Sequence, residues 1–126
     1  MRDHKTLNAW IEAHRVVNFV FDFCETCWRP QARAAFDQLQ RASLSVQLNI
    51  AEGYARRHPK KFLNHLQIAY GSAVETTELI ELIQLRRVVP QEPAQRALEA
   101  SRRCQRLLLG LIKHIRGRIA DQSVAT

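Results

Sequence analysis

The chain has 126 residues, of which 46% are hydrophobic and 25% charged, with 19 basic side chains against 12 acidic ones. That length suits one domain with a real core, and the composition favours neither disorder nor a membrane class. The net charge of +7 favours anionic partners, nucleic acid or acidic proteins, while no apolar run reaches the ~18 residues a spanning helix needs.

The opening MRDHKTLNAW mixes acid and base without an apolar signal core, so a cytoplasmic protein is expected. Four glycines and no stretch of alternating β-branched residues argue against strands. Prolines at 30, 59, 90 and 93 divide the chain into segments that each carry helical periodicity. Helices are expected near 5–28, 32–57, 60–87 and 93–119, with a polar tail over 121–126. Pro59 and Pro93 suit first-turn positions, where a missing N–H removes no bond.

Helix one offers the seam Leu7, Trp10, His14, Val17, Phe21, Cys24 and Trp28. It also carries Val16, Phe19, Val20 and Phe23, so its second half is apolar almost all round. Cys24 and Cys27 form a C-x-x-C, which invites a zinc or redox reading. Zinc needs about four ligands, with only Cys104 or a distant histidine to complete the set. A redox pair expects a preceding strand. Packing toward one side of the helix is the plainer role, and three cysteines, an odd number, fit a reduced compartment. His14 reads as a hydrogen-bonded core residue, with ligation as the alternative.

Helix two gives Ala35, Leu39, Ala42, Val46, Asn49 and Gly53, widened by Phe36, Ser43 and Ile50. Asn49 on this seam needs a partner, for which Ser72, Glu75 or a backbone group on helix three is available. A ligand site around Asn49 and Glu52 is the rival role. Gly53 and Gly71 would let two helices or two protomers approach closely.

Helix three has the clearest seam: Phe62, Leu66, Ala69, Ala73, Thr76, Ile80 and Ile83, in alternating steps of four and three. Ile68, Leu79 and Leu82 lie on its other side. A helix apolar on two faces usually has two packing partners, so Phe19, Phe23, Ile68, Leu79 and Leu82 are expected at a homo-oligomer interface. Helix four runs through Ala97, Ser101, Cys104, Leu108, Leu111 and Ile115.

Short connections make neighbouring helices antiparallel, so the expected fold is all-α, an antiparallel up-down-up-down four-helix bundle. That topology gathers Arg2, Lys5, Arg56, Arg57, Lys60, Lys61, Lys113, Arg116 and Arg118 at one end. Arg102, Arg106, Lys113 and Arg116 fall within about 80° on helix four, away from its seam. The stripe and the end resemble the footprint of a phosphate-backbone binder. A solvated face, or dipole complementation near the end of helix four, would account for part of it. Lys60 and Lys61 escape that explanation, because positive charge is unfavourable at a helix N-terminus. Few aromatics are interleaved, which argues for backbone or shape recognition over base stacking.

Catalytic motifs are lacking. No phosphate-cradling glycine loop, H-E-x-x-H or G-x-S-x-G occurs, and no histidine lies three residues after a glutamate as a di-metal bundle requires. The expectation is a non-enzyme without metal or cofactor.

Within Arg41–Glu75, Asn49-Ile50-Ala51-Glu52-Gly53 and Ile68-Ala69-Tyr70-Gly71-Ser72, with Glu75 following, resemble the four-helix-bundle family that includes proteins encoded in intervening sequences of bacterial 23S ribosomal RNA genes. The resemblance implies the bundle fold, structural roles for these motif residues, and rings of five bundles. Its function is mostly unassigned. The genomic association with ribosomal RNA, and a related branch that accompanies retroelement reverse transcriptases, point the basic surface toward RNA or an RNA–protein assembly. A protein-interaction scaffold is the alternative, with an acidic partner at the basic end.

Overall fold

The structure, a computed structural model, describes residues 3–125. Arg2 and Thr126 lie outside the described residues. Four helices follow one another: α1 (Asn8–Cys27), α2 (Arg33–Ala55), α3 (Pro59–Leu85) and α4 (Gln91–Ala125), with 3-10 turns at His4–Thr6 and Pro30–Ala32 and no strand among the described residues. Each helix packs on its two neighbours around a square, and the backbones of the diagonal pairs stay more than 8 Å apart between Cα atoms among the described residues. This is the antiparallel up-down-up-down bundle that the short connections require.

Local chemistry sets the corners. Pro59 is the first residue of α3, where it removes no helical bond. At the other end of α3 the N–H of Arg87 donates to the Gln84 carbonyl and that of Val88 to the Ile83 carbonyl. These two bonds close the helix around Arg87, which takes the left-handed conformation at φ 55°. Arg57 does the same after α2, also at φ 55°.

The core divides into two apolar halves. One, toward the α1–α2 and α3–α4 connections, is built on Phe23, Phe36, Leu39, Ile80, Ile83 and Leu98. The other, toward the α2–α3 turn, is built on Ile50, Phe62, Leu66, Leu108, Ile112 and Ile115. Between them sit the buried hydroxyls of Ser43, Thr76, Thr77 and Ser101. Thr77 Oγ1 and Ser101 Oγ are 2.7 Å apart, Thr76 donates to the Ser72 carbonyl and Ser43 to that of Gln40. Hydroxyls bonded in this way avoid the penalty of an unpaired buried donor. A void of about 10 Å³ adjoins this layer, close to the room one water needs.

All seven residues of the α3 seam are buried, and on α2 and α4 the seam holds with small changes. Asn49 and Ala35 are only half-buried, and Ile112 takes the core place expected of Leu111. On α1 the core face is rotated from the expected seam. Ala9, Ala13, Val16, Val20 and Phe23 enter the core beside Val17. Leu7, Trp10 and Cys24 pack half-buried at its edge, and His14, Phe21 and Trp28 are exposed, Phe21 by 40% and Trp28 by 49%. Small Ala9 and Ala13 allow close approach: Cys104 Sγ reaches 3.6 Å from the Ala9 carbonyl oxygen. An indole at that level would hold the helices apart. Trp10 instead stacks on His14 with ring centroids 4.8 Å apart.

One interface expectation changes: Phe23 is buried in the monomer core. Phe19 and Leu79 are half-buried and pack against that core. Ile68 and Leu82 remain exposed. The polar tail is also corrected. Residues after Ile119 contain no proline or glycine to stop a helix, and α4 continues through Ala125.

Cys24 and Cys27 are half-buried on α1 and pack against the core, with no disulfide. Among the described residues no three His, Cys, Asp or Glu side chains group as a metal site. Burial, and secondarily the nearby Glu12 carboxylate, push the Cys104 thiol up to about 12. It is therefore a protonated, inert thiol at neutral pH. Maleimide treatment of the folded protein is expected to leave Cys104 unmodified, with full labelling only after denaturation. Intact mass after timed labelling reads this directly. Rapid uptake at Cys104 would contradict its burial.

Candidate nucleic-acid interface

The α2–α3 turn concentrates cations because two helix ends meet there. Arg56 and Arg57 follow the last turn of α2, and Lys60 and Lys61 are the second and third residues of α3. All four are exposed. Arg56, Lys60 and Lys61, with Asn64 and His65, line an open cleft of about 300 Å³. Among the described residues no carboxylate lies within ion-pair reach of Arg56, Lys60 or Lys61. Arg57 turns the other way, with its guanidinium carbon 5.3 Å from the centre of the Tyr54 ring, a cation–π contact. It lines a second cleft of about 260 Å³ with Tyr54, Phe62, Ile115 and Arg118.

Helix four contributes less directly than its stripe implies. Lys113 and Arg116 flank Ile112 and Ile115, which share a core cluster with Phe62 and Leu66, so they stand near this end. Both are exposed, and neither lines the two clefts; Arg118 takes that place. Arg106 is exposed on the same helix. Arg102 is spoken for: its guanidinium is 3.1 Å from Glu81 on α3. The stripe is therefore interrupted by an ion pair toward the opposite end.

That opposite end is mixed in sign. Arg33 pairs with Asp37 at 3.7 Å and Arg96 with Glu92 at 3.4 Å. A groove of about 1170 Å³ there combines Arg87 and Arg102 with Glu78, Glu81, Leu82 and Leu85. Arg29 and Arg86 line a neighbouring groove without such partners among the described residues.

The motif residues form a polar ladder along α2 and α3. Asn49 Nδ2 donates to the Ser45 carbonyl at 2.9 Å and lies 3.2 Å from Ser45 Oγ, while its Oδ1 is 3.0 Å from His65 Nδ1. Ser45 Oγ is 2.8 Å from Ser72 Oγ, and Glu75 accepts from Gln38. Glu52 stands 3.9 Å from His65 Nδ1. Asn49 thus bonds His65, not Ser72 or Glu75, because it lies one turn closer to the α2–α3 connection than Ser45. At Gly53 the two helices approach closely: a Cβ there would fall 2.6 Å from His65 Cβ. Gly71 is exposed with open space around it, so it serves no close approach within the chain.

Asn64 and His65 did not stand out in the sequence. The signal was spacing, since Lys60–Asn64 and Lys61–His65 are each four apart and so share a face of α3.

The fold and this end define a class: a four-helix bundle with a cationic end and a polar ladder between its second and third helices. Residues 5–110 match the 23S rRNA-intervening sequence proteins, and the chain belongs to that family. Among solved structures it is similar to a protein of unknown function from the S23 ribosomal protein family of Bacteroides thetaiotaomicron. The TM-score is 0.62 at 22% identity, covering 81% of this chain and 98% of that one. That likeness speaks to the fold. No curated protein matches the chain. No described helix is long and apolar enough to cross a membrane.

Proposed function

We propose that this protein is a non-enzymatic, homo-oligomeric helical bundle that binds RNA, or an RNA–protein assembly, through its basic α2–α3 end. The observation that carries this reading is uncompensated charge. Carboxylates answer Arg15, Arg33, Arg96, Arg102 and Arg103, whereas among the described residues none answers Arg56, Lys60 or Lys61, three cations gathered around one cleft; Arg29 and Arg86, also without a carboxylate, lie at the opposite end. Membership of a family named for 23S rRNA intervening sequences supports RNA as the polyanion. Replacing Arg56, Arg57, Lys60 and Lys61 with Gln is expected to weaken RNA binding and flatten its salt dependence, which binding measured over a salt series checks.

Self-association is supported by apolar side chains left on the surface, Phe21, Trp28, Leu48, Ile68 and Leu82 among them. Aromatic residues of this kind are enriched at interfaces. Five copies is the number the family resemblance implies. Light scattering coupled to size exclusion is expected to give a mass several times 14.6 kDa. Phe21→Glu or Ile68→Glu is expected to lower it, since an unpaired charge buried at an interface costs about 3–5 kcal/mol. A monodisperse monomer at micromolar concentration would remove the oligomer from the proposal.

A protein-interaction scaffold is the second reading. The wide groove at the opposite end favours it, because Leu82 and Leu85 are exposed there beside charges of both signs.

A further inference from the structure

Three cations converge on one small cleft at the start of α3, and they do so without an acid among them. We propose that the cleft of Arg56, Lys60, Lys61, Asn64 and His65 is a phosphomonoester site, which takes the terminal 5′-phosphate of an RNA chain. This rests on the RNA-binding reading above and narrows it from a strand to its end.

Charge selects the monoester. An internal phosphodiester carries a single negative charge, whereas a phosphomonoester carries about −1.5 to −2 at pH 7 with three acceptor oxygens. Two lysines and an arginine around one cleft of about 300 Å³ suit the larger charge. Arg106, Lys113 and Arg116, by contrast, stand exposed on α4 and line no part of this cleft.

The backbone adds to the same effect. α3 begins without a side-chain cap and with no acid in its first turn. Phe62 N–H is taken by the His58 carbonyl, and no bond within the described chain takes the N–H of Lys60 or Lys61. Free amides and the positive end of the helix dipole favour an anion, and two lysines placed there repel that dipole until one arrives.

His65 supplies a third, independent element. Asn49 Nδ2 is committed to the Ser45 carbonyl, which turns Oδ1 toward the ring. His65 Nδ1 must then carry the proton and donate it to Asn49 Oδ1. Nε2 is the remaining nitrogen, and it makes no hydrogen bond within the described chain. In the neutral ring Nε2 accepts from a singly protonated phosphate; in the charged ring it donates to the dianion. The polar ladder between α2 and α3 is thereby a positioning device for His65.

The test compares three probes on the oligomer as purified: a 5′-phosphorylated RNA decamer, the same decamer with a 5′-hydroxyl, and adenosine 5′-monophosphate alone. Affinity for the decamers is read by competition anisotropy, and the His65 imidazole resonance is followed by NMR. The phosphorylated decamer is expected to bind at least tenfold more tightly and to shift the His65 signal. Lys60→Gln/Lys61→Gln, at exposed positions, is expected to erase that preference, and Arg29→Gln to keep it. Equal affinity for the two decamers would overturn the terminal-phosphate site and leave RNA binding standing. If neither decamer binds while the mononucleotide shifts His65, the phosphate site stands and the RNA reading falls. No response to any probe overturns both.

Discussion

Gly53→Ala is expected to destabilise the bundle, whereas Gly71→Ala is expected to stabilise it, although both glycines lie within helices of the same motif. Alanine in a helix interior is worth about 1 kcal/mol over glycine. At Gly71 nothing lies within 4 Å of the added carbon, so the gain is kept. At Gly53 the carbon would meet His65 Cβ at 2.6 Å and Phe62 Cδ1 at 3.1 Å. His65 Cβ is tied to the α3 backbone and cannot swing aside, so the helices must part. Overpacking of this kind costs about 1–3 kcal/mol, and parting would also loosen the Asn49–His65 bond. The net loss is about 1–2 kcal/mol, which lowers the melting temperature by roughly 3–10 °C for a chain of this size. Thermal unfolding of the two variants gives the comparison. A neutral Gly53→Ala would mean that α2 and α3 do not approach as closely as 2.6 Å implies.

Which helices could be read from sequence follows from how sharply each marked off its core face. On α3 the seam from Phe62 to Ile83 repeats unbroken with Glu75, Glu78 and Glu81 between its members, so every seam residue is buried although Ile68 and Leu82 stay exposed on another side. On α1, apolar residues occupy two faces and periodicity alone cannot choose between them. Size chose. Ala9 and Ala13 let α4 come close, and the bulky Phe21 and Trp28 were left outside, with Trp10 half-buried at the edge of the core. The end of α4 was missed for the opposite reason: polarity after Asp121 resembled a tail, but polarity without a breaker does not end a helix.

The site was legible in its charges and illegible in its neutral parts. Topology alone brings Arg56, Arg57, Lys60 and Lys61 together, because they flank one turn. The orientation of His65 needed the α2–α3 register, which depends on Gly53 allowing close contact. Arg102 needed the same kind of knowledge about α3 and α4, since only the structure reveals Glu81 beside it. Charge placed on a helical wheel identifies candidates; the neighbouring helix decides which remain uncompensated.

Replacing Arg56, Arg57, Lys60 and Lys61 together with Gln is expected to have the largest effect on binding. Each phosphate contact contributes a slope of about −0.7 to −0.9 to the dependence of log affinity on log salt. Four contacts per protomer amount to a slope of about −2.8 to −3.6, so wild-type affinity should fall roughly 50- to 150-fold between 50 and 200 mM salt. The variant should bind more weakly across RNA sequences and lose most of that dependence. Arg57 is expected to give the smallest share, because its guanidinium already rests over Tyr54. The four side chains are exposed and outside the core clusters, so oligomeric mass and helicity should be unchanged. An Arg29→Gln/Arg33→Gln variant at the opposite end should retain most of the affinity, because Arg33 is paired with Asp37. Binding of all three proteins to one RNA over a salt series, with mass checked by light scattering, decides the matter. If both variants weaken equally, attraction comes from net charge and the basic end has no special role. If the wild type fails to bind even at low salt, the scaffold reading replaces RNA binding, and the groove beside Leu82 and Leu85 becomes the surface to test.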